Sequence, residues 1–369
     1  MIFNVNNLEY TIWLPVYTLN DYSYNSNFYK VLLGVEQILT IVVLFFTVLS
    51  AYIMISTKGF HSNLNSLVAS VVISWVLCLI GRIMLIPYII GMWKVGNVSS
   101  DIQLWYTDDV EEMPEIQSMR DEWPLFLGGF LMWYYMFILI TCFLFIGLER
   151  TCASWFILNY EQTSRRHIFF LLILFQHGMI LVMLWFVYFN HIYFYLCFLF
   201  TICLNSFAVL VLWGNRRYNI ILLQKFKKNH KKSVESYTLP ARFQAKENVK
   251  AFDLTLRIMI IGFFLIFLGL FCLVFLHYKW LPSCGTFLLF CFENLVHLNP
   301  LIVCPVMILS VNPWRKVLST SRFSFLRKVS CVSLSQKELV VEKIMRQEQE
   351  TNFYFKQLNN SWERGGSGK

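Results

Sequence analysis

The chain has 369 residues, 57% of them hydrophobic and only 14% charged. A water-soluble globular chain carries about 25% charged residues, so a soluble enzyme or binding module is excluded and the outer solvent must be lipid. The net charge of +9 reads as an orientation signal and a juxtamembrane match to anionic lipid, not as a nucleic-acid footprint.

Apolar runs long enough to cross roughly 30 Å of hydrocarbon recur seven times, at 31–55, 64–90, 124–148, 168–190, 192–213, 254–278 and 285–311. They are too long and too evenly apolar for barrel strands, so the spacing predicts an all-α bundle of seven transmembrane helices. Residues 1–30 precede the first span. Residues 1–29 hold neither a basic leader nor an apolar core, so no cleavable signal peptide is expected and span one directs its own insertion. Span one carries Glu36 five residues in. Span two carries Arg82 eight residues from its far end.

The loop 91–123 holds eight acids against Lys94 and Arg120, with a glycosylation sequon at Asn97-Val98-Ser99. Span three contains Trp133-Tyr134-Tyr135 and ends on Glu149-Arg150. Spans four and five nearly touch through Asn190 and His191, which predicts a tight helical hairpin. Before span six, Thr238 and Pro240 supply helix-start chemistry. Arg242, Lys246 and Lys250 then share one helical face, and Ala245, Val249, Phe252, Leu256 and Met259 share another. No Gly or Pro separates this stretch from the apolar run, so one helix is expected from Leu239 to Tyr278. At 1.5 Å per residue it is about 60 Å long, roughly twice what the bilayer needs.

Span seven carries Glu293 eight residues in, then His297, Asn299-Pro300 and Pro305, and no Lys that could hold retinal. The tail 312–369 opens with an amphipathic stretch, 312–328, suited to a lipid interface. Cys331 just beyond is a palmitoylation candidate.

Twenty-five of the 31 Lys and Arg fall in loops on one side, including the tail. The positive-inside rule puts that side in the cytosol. The N-terminus is then extracellular, as the acidic loop and its sequon require.

A charge at the centre of a span costs at least about 2.5–3.5 kcal/mol, so Glu36, Arg82 and Glu293 need partners. All three fall within roughly 8–12 Å of the outer surface by helix rise. Arg82 is expected to pair with Glu293 or Glu36, either as a packing ion pair or as the polar floor of a ligand pocket with Trp133, Tyr134 and His297. His177 and His297 are read as satisfied core histidines. Nothing recurs at metal-ligand spacing, so no metal, cofactor or catalytic residue is assigned.

Three motifs carry a resemblance. The runs "LERTCASWFILNYEQ" (148–162) and "YTLPARFQAKENVKA" (237–251), together with "WLPVY" near the N-terminus, resemble the nematode serpentine chemoreceptors of class epsilon (Sre), at matching topological positions along nearly the whole chain. The resemblance implies a plasma-membrane, G-protein-coupled chemosensory receptor. An external small molecule would move helix six and activate a heterotrimeric G protein, with Glu149, Arg150, Arg242, Lys246 and Lys250 as the coupling surface. Glu149-Arg150 holds the place of the acid–arginine pair of rhodopsin-like receptors. The chain departs from those receptors in having no cysteine in 91–141, and Val303 where a Tyr usually follows Asn-Pro. The alternative reading is a seven-helix ligand-gated channel or transporter.

Overall fold

The computed structural model describes residues 1–5, 10–57, 60–96, 102–103, 107, 109–157, 160, 165–228, 239–278 and 284–320. The chain divides into two units, 1–311 and 312–369. In the first, seven helical segments are long and apolar enough to cross a membrane.

The N-terminal residues, which carry no span, form strands. β1 (Ile2–Val5) pairs antiparallel with β2 (Tyr10–Trp13), Ile2 opposite Trp13. β3 (Thr18–Leu19) pairs with β4 (Ile102–Gln103), and β5 (Glu115–Ile116) lies parallel to β1. The five strands thus fold together over one end of the bundle. The peptide N–H groups of Asn20 and Asp21 donate to the last carbonyls of span two, at Tyr88 (3.1 Å) and Ile89 (3.0 Å), which a helix end leaves without intrahelical donors.

Span one is α1 (Asn27–Ser56). Span two is not one helix but two, α2 (Ser62–Ile73) and α3 (Trp75–Ile89). The chain breaks at Ser74, whose hydroxyl donates back to the Val71 carbonyl at 2.6 Å, the local competition that Ser offers a helix ladder. Span three, α4 (Trp123–Trp155), is the centre of the bundle; 61% of its most apolar stretch is buried. It meets α3 where Gly81 faces Gly128. A Cβ on Gly81 would lie 2.8 Å from the Gly128 carbonyl oxygen, so only paired glycines allow this approach of two membrane helices.

α5 (Arg166–Tyr188) and α6 (Phe194–Lys228) form the expected hairpin. Asn190 takes a left-handed φ of 52° in the connection. α6 continues fifteen residues past the predicted end of its span, into the basic segment. α7 (Leu239–His277) runs unbroken through 39 residues, as expected from the absence of Gly or Pro at the junction. Its packing face differs from the predicted apolar one. Ala245 and Met259 are buried, but Leu256 is 43% exposed, and Gln244, Glu247 and Asn248 are buried instead. Polar partners on the facing helices, described below, reward those side chains.

Span seven is also divided, into α8 (Gly285–His297) and α9 (Pro300–Ser310). Pro300 has no N–H to give the Val296 carbonyl; the Asn299 side chain donates there instead, at 2.7 Å. The His297 carbonyl, freed by the same break, accepts from the Trp75 indole at 2.6 Å. Pro305 sits inside α9 without ending it. In the second unit α10 (Asn312–Thr320) is described; its Arg315 donates to Asn312 at 2.9 Å. Asn97 and Cys331 lie outside the described residues.

Candidate functional site

Two polar clusters are buried at opposite ends of the bundle. The first joins all three lone charges. Arg82 on α3 donates from Nε to Glu36 Oε1 (3.0 Å), from Nη2 to Glu36 Oε2 (3.5 Å) and from Nη1 to Glu293 Oε2 (2.6 Å). The expected choice between Glu36 and Glu293 is therefore not made: one guanidinium serves both, tying α1, α3 and α8 together. One turn deeper, the His297 ring pairs with the Thr40 hydroxyl at 2.9 Å and stacks on Trp75.

The outer side of this cluster is closed by the chain itself. Residues 13–17 run over it as a strap. The Trp133 indole donates to the Trp13 carbonyl at 2.9 Å, and the two rings meet edge to face. Leu14 fills the notch at Gly129, where a Cβ would come within 2.6 Å of it. Tyr17 packs edge to face on Phe292 at 4.9 Å. Burial pushes the Tyr17 phenol up, and the Glu293 charge adds to the effect, so the hydroxyl keeps its proton. Beneath the strap is a cavity of about 20 Å³ that Tyr17, Arg82, Met132, Phe292 and Glu293 help to line. Tyr134 does not join this group. Its hydroxyl pairs with His177 Nδ1 at 2.6 Å, its ring stacked on the imidazole.

The second cluster surrounds Arg150, 2% exposed. Glu149 grips it with both oxygens, at 2.5 and 2.7 Å. Arg150 Nη1 donates to Asn248 Oδ1 (3.1 Å) and to Glu247 Oε1 (3.5 Å), both on α7. Asn248 in turn donates to Ser154 Oγ (2.9 Å) and Asn219 Oδ1 (3.2 Å). The Tyr160 hydroxyl donates to Glu149 (2.7 Å) and accepts from Asn63 on α2 (3.2 Å). One network thus binds α2, α4, α6 and α7. Burial and the Glu149 charge raise the Tyr160 phenol.

The predicted basic stripe is placed elsewhere. Lys246 and Lys250 are exposed and Arg242 is half-buried, and the partners of Arg150 come from the adjacent face of α7. Gln244 and Asn248 are four apart, and so are Asn215 and Asn219 on α6. Polar residues at helical spacing were a readable signal for this contact. Between the clusters, the Tyr135 hydroxyl accepts from Asn299 at 2.9 Å, linking α4 to the break in span seven.

His61, just outside span two, touches this network. Its backbone N–H donates to Glu247 at 2.5 Å, its Nδ1 accepts from the Asn63 N–H at 3.3 Å, and its ring lies 4.3 Å from Tyr160. Burial lowers its basicity, Arg150 lowers it further, and Glu149 and Glu247 oppose them. The net is a folded-state value below the ordinary imidazole value of about 6.5. Folding then favours the neutral ring, so its contribution is complete above about pH 6.5 and is lost as pH falls below that. A protonated Nδ1 can no longer accept. We expect the purified protein to melt at lower temperature at about pH 5.5 than at 7.5, and the His61→Asn protein to show much less of this difference. An equal drop in both would contradict the assignment.

The family model described as Sre G protein-coupled chemoreceptor matches residues 1–363. Among curated relatives, serpentine receptor class epsilon-45 of Caenorhabditis elegans is 31% identical over 98% of this chain and 100% of its own length. Class epsilon-38 and class epsilon-37 of the same organism are 28% and 27% identical, over 97% and 98% of this chain and 99% of each relative. No solved structure matches the chain.

Proposed function

The chain belongs to the Sre G protein-coupled chemoreceptor family, and on that premise we propose that it sits in the plasma membrane, binds an external small molecule, and activates a heterotrimeric G protein when α7 moves. The basic end of the bundle would face the cytosol, in line with the positive-inside rule. The observation that carries the reading is the seat of Arg150. Its guanidinium is held by α4 on one side and by α7 on the other, so it is buried only while α7 is closed against it. Swinging α7 outward would break the Asn248 and Glu247 contacts and free Arg150 for a partner's carbonyl groups.

Lys246 and Lys250 on the outer face of α7 would meet anionic lipid or the G protein. The helix carries the motion because it is continuous from membrane to solvent, with no Gly or Pro between Ala241 and Ile261 that would absorb it.

A broken span seven is also a transporter feature. Here the carbonyls freed by the break are taken by Asn299 and Trp75 rather than offered to a water path, which counts against a conducting protein.

The test is a G-protein activation assay over a broad panel of small molecules, with surface expression verified. At least one compound should activate, and the Arg150→Ala receptor should not respond to it. Silence across the panel from a receptor at the surface, or a response unchanged in Arg150→Ala, would remove the proposal.

A further inference from the structure

We infer that Arg82, Glu36 and Glu293, with the cavity beside them, form the seat of a small organic ammonium ion. The inference rests on the receptor reading above only for the word ligand; the chemistry of the seat stands on its own geometry.

The charge balance comes first. Arg82 is 4% exposed, Glu36 1%, Glu293 7% and Asp21 0%. Asp21 is held by neutral donors, the Ser23 N–H and the Thr286 hydroxyl, each at 2.9 Å. It makes no ion pair among the described residues. Arg82 therefore pairs with two buried carboxylates, and a third, Asp21, is close enough to act on Glu293. Excess buried negative charge is costly unless a carboxyl takes up a proton or a cation binds, so the region can accept further positive charge.

Hydrogen bonding then gives the site its direction. Three of the five N–H donors of Arg82 are engaged by Glu36 and Glu293, and the two carboxylates flanking the guanidinium repel an anionic ligand. Glu293 uses Oε2 for Arg82. Its Oε1 accepts no hydrogen bond among the described residues, although the side chain is 6% exposed and lines the cavity. That free carboxylate oxygen is the acceptor a cationic donor would meet.

The lining selects among cations. Hard metal ions take six or more oxygens, and only one carboxylate oxygen is free here. The other walls include Tyr17, Phe292, Met132 and Met136. Aromatic faces attract ammonium ions, and thioethers are soft and adaptable neighbours. The cavity is about 20 Å³, close to the room one water needs, and so matches an ammonium head group. A longer alkyl portion would have to lift Pro15 and Tyr17, which couples binding to the strap.

The experiment uses the purified full chain in lipid nanodiscs, melted against rising methylammonium chloride, sodium chloride or sodium acetate at constant ionic strength. Methylammonium should raise the melting temperature saturably, and sodium and acetate should not. A hydrogen bond to a charged group contributes about 1.5–3 kcal/mol, so Glu293→Gln should weaken half-saturation by about 10- to 100-fold. Val296→Phe, which fills the cavity without touching a charge, should abolish saturation and serves if Glu293→Gln does not fold. Equal effects of sodium and methylammonium, no saturation, or saturation unchanged in Val296→Phe would overturn the seat. Saturable methylammonium binding by a receptor that activates no G protein would support the seat and count against the receptor reading. A receptor activated by an acid and blind to methylammonium would do the reverse.

Discussion

Replacing Arg82 by methionine is expected to cost about 3–5 kcal/mol, the usual penalty for removing one partner of a buried ion pair, and to leave little receptor at the cell surface. Methionine fills much of the same volume, so packing is not the cause. The loss arises because Glu36 and Glu293, both nearly inaccessible, lose every donor that Arg82 supplied. The penalty is a large part of the roughly 5–15 kcal/mol that stabilises an ordinary domain. Adding Glu36→Gln and Glu293→Gln to Arg82→Met removes the stranded charges together and should restore most of the surface population, since replacing a whole buried ion cluster is often close to neutral. Surface labelling and thermal melts check both results. An Arg82→Met receptor with parental surface level and melting temperature would contradict the account.

The second large effect is expected at the other end. In a Glu247→Gln, Asn248→Ala receptor, α7 keeps its length and its exposed lysines but loses its best contacts to Arg150. Hydrogen bonds to a charged group contribute about 1.5–3 kcal/mol. Removing that preference for the closed arrangement should raise ligand-independent G-protein activation by about tenfold or more. Glu149 still holds Arg150 from its own helix, so α4 is not left with a bare charge and the receptor should still fold. Basal activation equal to the parent's, at equal surface expression, would show that the α7 contacts do not restrain the receptor.

The seven-helix architecture was legible because lipid demands long apolar runs and tolerates few alternatives. Glu36, Arg82 and Glu293 were legible for the same reason: a lone charge in such a run needs a neighbour, and the bundle gives it one. The continuity of α7 followed from the absence of Gly or Pro where its charged stretch meets the apolar run. Other features were hidden by long-range pairing. β1 meets β5 across about 110 residues, and no local pattern announces that the N-terminal strap will close over the Arg82 cluster. The break at Ser74 has no Pro or Gly to mark it, whereas the break before Pro300 does. Trp133 and Tyr134 are adjacent and look alike in sequence, yet neighbouring positions on a helix point about 100° apart; one meets the strap and the other meets His177. On α7 the conspicuous charges drew the eye to Arg242, Lys246 and Lys250. The contact to Arg150 belongs to the quieter Gln244, Glu247 and Asn248, whose value depends on what α4 and α6 place opposite them.

The central claim is that α7 closes over Arg150 and leaves it on activation. The direct measurement is a distance between α4 and α7 by electron–electron double resonance, with nitroxides at Trp155 and Lys250. Both positions are exposed, and the exposed Cys203 and Cys284, together with Cys331 of the tail, are replaced by Ser. Binding of nucleotide-free G protein should lengthen this distance by roughly 5 Å, about one helical turn. A distance unchanged with the G protein bound would mean that α7 does not carry the signal.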